Sequence, residues 1–381
     1  MDLDMGPLNV FIGPNASGKS NFIQAISLLA AAPRNILVPF RESGTTEDWI
    51  WKGKTHLGRG SVLLARFDYP GLLGESLWYK LVFVAQDFRP KILEERLYSS
   101  LNPDMDGALL MVRREDEFKV RGTRKGMVAP LEREEKLDSN WEKVDARQSV
   151  LSQVRDASNY PELTHVGDLL GKISFFRGWP MGRDNALRRP QAVNLPDDFL
   201  LEDGSNLGLI LNDLQNRLAT KRLILEKLRV LYEGIEDVTT KVQGGTIQIF
   251  FHQEGLDNPI PAARLSDGTL HYLCLLTVLL HPDPPPLICI EEPELGLHPD
   301  VIRTVGKLLI DASQRTQLIV TTHSDFLVSA LSETPEAVVV CERDDRGTQL
   351  RRLDPERLKD WLDRYTLGEL WSMGEIGGNR W

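Results

Sequence analysis

Apolar residues follow two rhythms along this chain. Leu8, Val10, Phe11 and Ile12 form a short, nearly unbroken run, and the spacing then changes to Phe22, Ile23, Ile26 and Leu29, one face of a helix. A buried strand followed directly by a helix is the order predicted. Residues 61–69, "SVLLARFDY", and 77–86, "LWYKLVFVAQ", flank the turn sequence "PGLLGE" and predict an antiparallel hairpin, placed with the opening lobe. From about 88 to 165 the chain is dense in charge and weakly periodic. There "RREDEFKVRGTRKG" reads as a charged hairpin and "LEREEKLDSNWEKV" as a solvated helix or loop. Apolar residues at helical intervals from Leu207 to Tyr232 predict two packed helices, without the heptads of a long coiled coil. "TIQIFFH" follows as a strand, "LHYLCLLTVLL" as an apolar helix, and "LICIEEPE" and "QLIVTTHS" as buried strands with polar tips. "EAVVVCERDDRGTQLRRLD" predicts a hairpin turning at Asp344 and Asp345.

The junctions between these elements carry the candidate chemistry. "GPNASGKS", residues 13–20, fits G-x-x-x-x-G-K-[ST] without a mismatch. Gly13 and Gly18 allow backbone conformations that aim several N–H groups into one concavity, with Pro14, Asn15, Ala16 and Ser17 between them. Lys19 and the helix N-terminus supply positive charge to a triphosphate, Ser20 offers a hydroxyl to Mg²⁺, and Asn21 is the last of the expected nucleotide-binding residues of this loop. Ser266, Asp267 and Gly268 open the later apolar helix and form a second anion site, without a lysine. Glu291 and Glu292 end a buried strand, where one carboxylate facing Mg²⁺ and one facing a water would serve phosphoryl transfer to water. Ligands gather at the carboxyl ends of parallel strands, so Lys19, Glu292 and His323 fall where one nucleotide could touch all three.

Composition narrows the classes. With 381 residues, 41% hydrophobic and 26% charged, the chain can bury a substantial core without staples. The division expected is residues 1–87 with the Gly-rich loop, 88–236 as an insertion and helical lobe, and 237–381 with the later motifs. Cys274, Cys289 and Cys341 sit in apolar runs with no C-x-x-C spacing, which reads as buried thiols. No apolar stretch is long enough to cross a bilayer, and a cytoplasmic protein is expected. A net charge of −10 argues against a general polyanion coat, so any double-stranded DNA contact needs a local patch. Two basic stretches are candidates: Arg113, Arg114, Lys119, Arg121, Arg124 and Lys125, and then Arg177, Arg183, Arg188 and Arg189.

"GPNASGKSNF", "LSDGTL", "ICIEEPELGLHP" and "IVTTHSDFL" together resemble an ABC-type ATPase head of the RecF, SMC and OLD-like group. The resemblance implies an α/β P-loop NTPase fold with a mixed sheet, an antiparallel β subdomain and a helical lobe. It implies that Lys19 binds the β and γ phosphates, that Ser20 and Glu291 hold Mg²⁺, that Glu292 orients the attacking water and that His323 contacts the γ phosphate. In such heads Ser266 and Gly268 act on the ATP of a second copy, so two nucleotides are held in a homodimer. The chain departs from transporter heads at Asp267 and Thr269, where Gly and Gln are usual, at Glu291 in place of Asp, and at His298. These variants resemble the OLD-like branch. The glutamine that couples Mg²⁺ to the other lobe is left open between Gln86 and Gln153, and a shortened opening strand leaves a start codon upstream open as well.

A further acidic domain after His323, as in an OLD-like nuclease, is not expected from residues 324–381. The tail "LGELWSMGEIGGNRW" either docks a partner or covers an edge. The implied function is a Mg²⁺-dependent ATPase switch in DNA repair or anti-phage defence. The alternative is an ATP-dependent sensor that controls a separately encoded effector, such as a nuclease, without binding DNA itself.

Overall fold

The opening run Leu8–Ile12 is a strand buried along its whole length. The computed structural model describes residues 1–42, 44–50, 60–69, 76–87, 89–100, 108–114, 117–120, 142–179, 182 and 185–378. They divide into two compact units, Met1–Ser20 with Ser174–Trp381, and Asn21–Ile173.

In the first unit the opening strand lies inside a six-stranded sheet. Its order is Gly347–Arg352, Val338–Asp344, Leu8–Ile12, Gln317–Thr321, Leu287–Glu291 and Ser174–Phe176. Neighbours pair in parallel from Val338–Asp344 through to Ser174–Phe176, and Gly347–Arg352 is the antiparallel edge. Strands covered on both faces read as continuous apolar runs, which is why "LICIE" and "QLIVT" show no alternation. The sheet shares one core with the helices Asp267–Leu279 and Pro299–Ala312 and with the predicted pair, Leu207–Gln215 and Leu218–Leu231. The first of these helices is almost entirely buried, so it shows no polar stripe. A small antiparallel sheet joins Ile235–Gln243, Thr246–Gln253, Ile260–Pro261 and Gln191–Ala192. The α/β fold with a mixed sheet and antiparallel sheets is thus present, and Cys274, Cys289 and Cys341 are buried free thiols.

The second unit is built on a six-stranded antiparallel sheet in simple sequential order, from Gly60–Asp68 to Glu142–Lys143. The predicted hairpin is its first pair, and Ser76–Gln86 pairs onward with Arg89–Ser100, carrying the sheet across residue 87. The charged segment also folds as a hairpin, Ala108–Arg114 with Glu117–Val120. Residues 131–141 of "LEREEKLDSNWEKV" lie outside the described residues.

Arg113 corrects one expectation. Instead of facing solvent as part of a basic patch, it is fully buried beside the equally buried Glu95, with Nη1 and Oε2 3.4 Å apart. Its guanidinium also donates to the carbonyls of Gln148 and Asp145. Glu95 in turn accepts from the Tyr79 hydroxyl, the Ser149 hydroxyl and the Val150 amide. The pair therefore ties the sheet to Asp145–Val150. Lys119's side chain and Arg121, Arg124 and Lys125 lie outside the described residues, so Arg113 is lost from a patch of which Arg114 is the remaining described member.

Removing one partner of a buried ion pair leaves an uncompensated charge, so Arg113→Ala is expected to cost about 3–5 kcal/mol of stability. Replacing the pair together, as Glu95→Gln with Arg113→Met, should cost markedly less. Chemical denaturation of the two variants checks the ordering.

Candidate functional site

The register of three neighbouring parallel strands builds the site. Phe11 pairs with Thr321, and Thr321 with Glu291, so the three residues stand in one row at the carboxyl ends of their strands. Two backbone hydrogen bonds continue the ladder past the strand ends: Thr322 N donates to Phe11 O at 3.2 Å, and Glu292 N to Thr321 O at 2.9 Å. The loop after the first strand, the Glu292 loop and the His323 loop are therefore fixed to one another through main chain.

The Gly-rich loop leaves the first strand at Gly13, whose φ is +149°, and Gly18 has φ +107°. A Cβ at Gly13 would collide with the Cys341 carbonyl, and one at Gly18 with the Thr348 hydroxyl. Both glycines are thus demanded by a close approach to the hairpin of Val338–Asp344 and Gly347–Arg352 as well as by conformation. Thr348 Oγ1 also donates to Ser17 O at 2.9 Å. Ala16 adopts a left-handed φ of +65° at the exposed crest, beside exposed Asn15 and partly buried Pro14. Lys19 is buried, and its ammonium donates to Gly13 O at 2.6 Å and Pro14 O at 3.2 Å. Ser20 and Asn21 are exposed in the first turn of the helix Lys19–Ala31. The buried Ser17 hydroxyl oxygen has no hydrogen-bond partner.

Opposite signs of charge set the electrostatics. Burial pushes the Lys19 ammonium below its ordinary pKa, and the Glu292 carboxylate works against that shift. Burial pushes Glu291 up, the Arg177 guanidinium offsets part of the rise, and the neighbouring Glu292 adds to it. Arg177 Nε stands 3.4 Å from Glu291 Oε1, with the guanidinium over the Phe175 ring. Burial, then Lys19, push His323 below its ordinary value, so its imidazole is neutral near pH 7.

Glu292 has a φ of +48°, a left-handed conformation uncommon outside glycine and costly for a glutamate. Its amide bond to Thr321 and its carbonyl's acceptance from Leu295 N hold that conformation. The outcome is a carboxylate 3.9 Å from His323 Nε2, both groups partly exposed. Glu294 closes the arrangement: Oε1 accepts from Thr322 Oγ1 and from His323 N, each at 2.8 Å. Its other oxygen is buried with no partner.

Ser266 caps the helix Asp267–Leu279, its hydroxyl accepting from Thr269 N at 3.1 Å. A Cβ on Gly268 would stand 2.7 Å from Gly296 O, so this N-terminus packs against the loop that follows Glu292 in the same chain. Asp267 is ion-paired to Arg188 at 2.6 Å. His298, at the end of that loop, is the exposed cap of Pro299–Ala312.

The site thus contains residues that motif spacing did not single out for it: Thr348, Arg177, Glu294 and Arg188. Two of them sit in the second basic stretch, where Arg177 and Arg188 face carboxylates; Arg183 lies outside the described residues. The two candidate coupling glutamines belong to the other unit. Gln86 is exposed at a strand end, and Gln153 spends its amide on Asp145, Gln148 and Ser149.

A glycine cradle, a buried lysine on loop carbonyls and an acidic strand end in one row define a P-loop nucleotide-binding protein of the ABC-head type. The model of the family described as "AAA domain, putative AbiEii toxin, Type IV TA system" matches residues 8–64 and 182–329, more than half of the chain, and the chain belongs to that family. Among curated proteins, the Old nuclease of Escherichia phage P2 is 39% identical over 75 residues, a stretch covering 19% of this chain and 12% of that protein. An SMC head solved with the C-terminal winged-helix domain of ScpA superposes with a TM-score of 0.56 at 12% identity, covering 94% of each chain. A Pyrococcus furiosus Smc head with an extended coiled coil, bound to the C-terminal domain of ScpA, gives 0.51 at 13% identity over 95% of this chain and 94% of that one. The two solved structures show that the fold is that of an SMC head, and the match to the phage P2 protein is confined to a short stretch of each chain. Among the described residues no helix is long and apolar enough to cross a membrane.

Thr348→Val keeps the shape of the side chain and removes the hydroxyl that donates to Ser17 O. The expected effect is a loss of about 1 kcal/mol of stability, because this bond belongs to the fold itself. Chemical denaturation of the variant checks it.

Proposed function

We propose that this chain is a Mg²⁺-dependent ATPase whose ATP-bound form joins two copies and whose hydrolysis releases them. The observation that carries this reading is the pairing of Glu292 with His323, held beside the Lys19 loop by backbone hydrogen bonds to the neighbouring strand ends. The glycine cradle and the orphaned Ser17 hydroxyl suit a phosphate chain approaching the loop. Ser20 and Glu291 are the residues that would hold Mg²⁺, which supplies charge neutralisation at the β and γ phosphates. Such an ion binds through one or two protein groups plus phosphate oxygens, and among the described residues no cluster of three acidic, histidine or cysteine side chains is needed or found.

Each residue then has a defined task. Lys19 leaves its loop carbonyls for the β and γ phosphates. Glu292 accepts a hydrogen bond from the attacking water and orients it. Neutral His323 donates to the γ phosphate, and Glu294 keeps its loop in register with Glu292. The first amides of the Asp267–Leu279 helix lack intrahelical acceptors, as at any helix start, and with Ser266 and Gly268 they receive the nucleotide of the second copy.

The switch acts on another molecule, in defence against foreign DNA or in DNA repair. The family's name refers to a putative toxin, the phage P2 relative is a nuclease, and the solved heads are bound to domains of ScpA. One observation favours a protein effector over direct DNA contact: among the described residues of the two basic stretches, Arg113 is buried and Arg188 is ion-paired with Asp267.

The purified protein is expected to hydrolyse ATP, and Lys19→Ala to abolish both binding and turnover. Glu292→Gln should lower kcat by about 10²–10⁴-fold while retaining nucleotide. Titration with double-stranded DNA separates the two readings. A rate indifferent to DNA supports the protein effector, whereas a several-fold, salt-sensitive stimulation supports DNA as the target. A rate unchanged by Lys19→Ala would overturn the ATPase assignment.

A further inference from the structure

Asp267 presents a problem for the helix it opens. A carboxylate in the first turn suits the helix's own dipole. Yet it stands between Ser266 and Gly268, where the proposed second copy's triphosphate would arrive with several negative charges, and its side chain is 42% exposed. Left alone, it would repel the ligand that Ser266 and Gly268 are placed to receive.

Arg188 answers that charge from a distant part of the sequence. Its Nη2 donates to Asp267 Oδ1 at 2.6 Å, Nε to Gly182 O at 3.1 Å, and Nη1 to Leu265 O at 2.5 Å and Ala263 O at 3.3 Å. The Gly182 amide approaches both Asp267 oxygens at 3.3 Å. The Arg188 side chain is only 12% exposed, and its own residue is fixed by Asn185, whose Oδ1 accepts from Arg188 N at 3.0 Å. One cation thus cancels the Asp267 carboxylate and ties down the two carbonyls that lead into Ser266. On the other side, Gly268 rests against Gly296 O.

We propose that Arg188 is a positioning residue that makes the Ser266–Gly268 segment able to accept the nucleotide of a second copy, by neutralising Asp267 and fixing the approach to Ser266. This rests on the ATP-joined dimer proposed above. The planar, always-charged guanidinium can hold a carboxylate and carbonyls together, which the point charge of a lysine does not reproduce.

The test uses the full chain carrying Glu292→Gln, with ATP and Mg²⁺, and measures dimerisation by sedimentation alongside nucleotide affinity at low protein concentration. If this parent stays monomeric, the dimer reading itself fails, and the clamp with it. If it dimerises, adding Arg188→Gln is expected to weaken dimerisation at least about ten-fold while nucleotide affinity of the monomer is unchanged. Adding Asp267→Asn to Arg188→Gln should recover most of the loss, because the unpaired carboxylate is gone. Dimerisation unaffected by Arg188→Gln, or no recovery in the double variant, overturns the proposal. Should Arg188→Gln fail to fold, Asp267→Asn alone decides. A dimer at least as tight as the parent's agrees with a carboxylate that needs neutralising, and a weaker one refutes it.

Discussion

Everything chemical in this molecule hangs on the registration of three parallel strands. Leu8–Ile12, Gln317–Thr321 and Leu287–Glu291 come from opposite ends of the chain, yet their pairing puts Phe11, Thr321 and Glu291 in one row. Because side chains alternate along a strand, a slip of one residue would turn Glu291 to the opposite face of the sheet and move Glu292 away from His323. Both faces of these strands are apolar and buried, so the apolar pattern alone does not distinguish one register from the next, and the close fit of particular side chains has to do so. The two backbone bonds beyond the strand ends carry the register into the loops.

On that frame the site is a balance of charges held close together. Lys19 is buried among carbonyls, Glu291 is raised by burial and steadied by Arg177, and His323 is kept neutral. Strain is stored in the same place, in the left-handed backbone of Glu292. Its φ is fixed by contacts with two neighbouring segments, so the acidic pair can diverge, with Glu291 facing Arg177 and Glu292 facing His323. Two adjacent glutamates thereby occupy different environments and can serve different tasks.

How much of this could be read in the chain depends on whether an interaction is local. The strand–loop–helix order at Gly13–Ser20, the helix cap at Ser266, the helix pair from Leu207 and the hairpins follow from neighbours in sequence, and each appears as expected. Contacts made across long separations were invisible. Thr348 supports Ser17 from the far end of the chain, and Arg188 reaches Asp267 across a separate segment. Arg113 looked like surface charge because its neighbours are charged, and its buried partner Glu95 lies on another strand. The sheet of Gly60–Asp68 to Glu142–Lys143 continues across residue 87 for the same reason: strand pairing leaves no mark in composition.

The central claim is that Lys19 of one copy and Ser266 of another serve the same ATP. Mixing two inactive variants tests it directly: Lys19→Ala, which retains Ser266, and Ser266→Arg, which retains Lys19. Only a mixed dimer contains an intact composite site, one of its two, so hydrolysis absent from either variant alone should reappear in the mixture at no more than about half of the wild-type rate. No recovery at any mixing ratio would contradict the shared site and leave each chain to act on its own nucleotide.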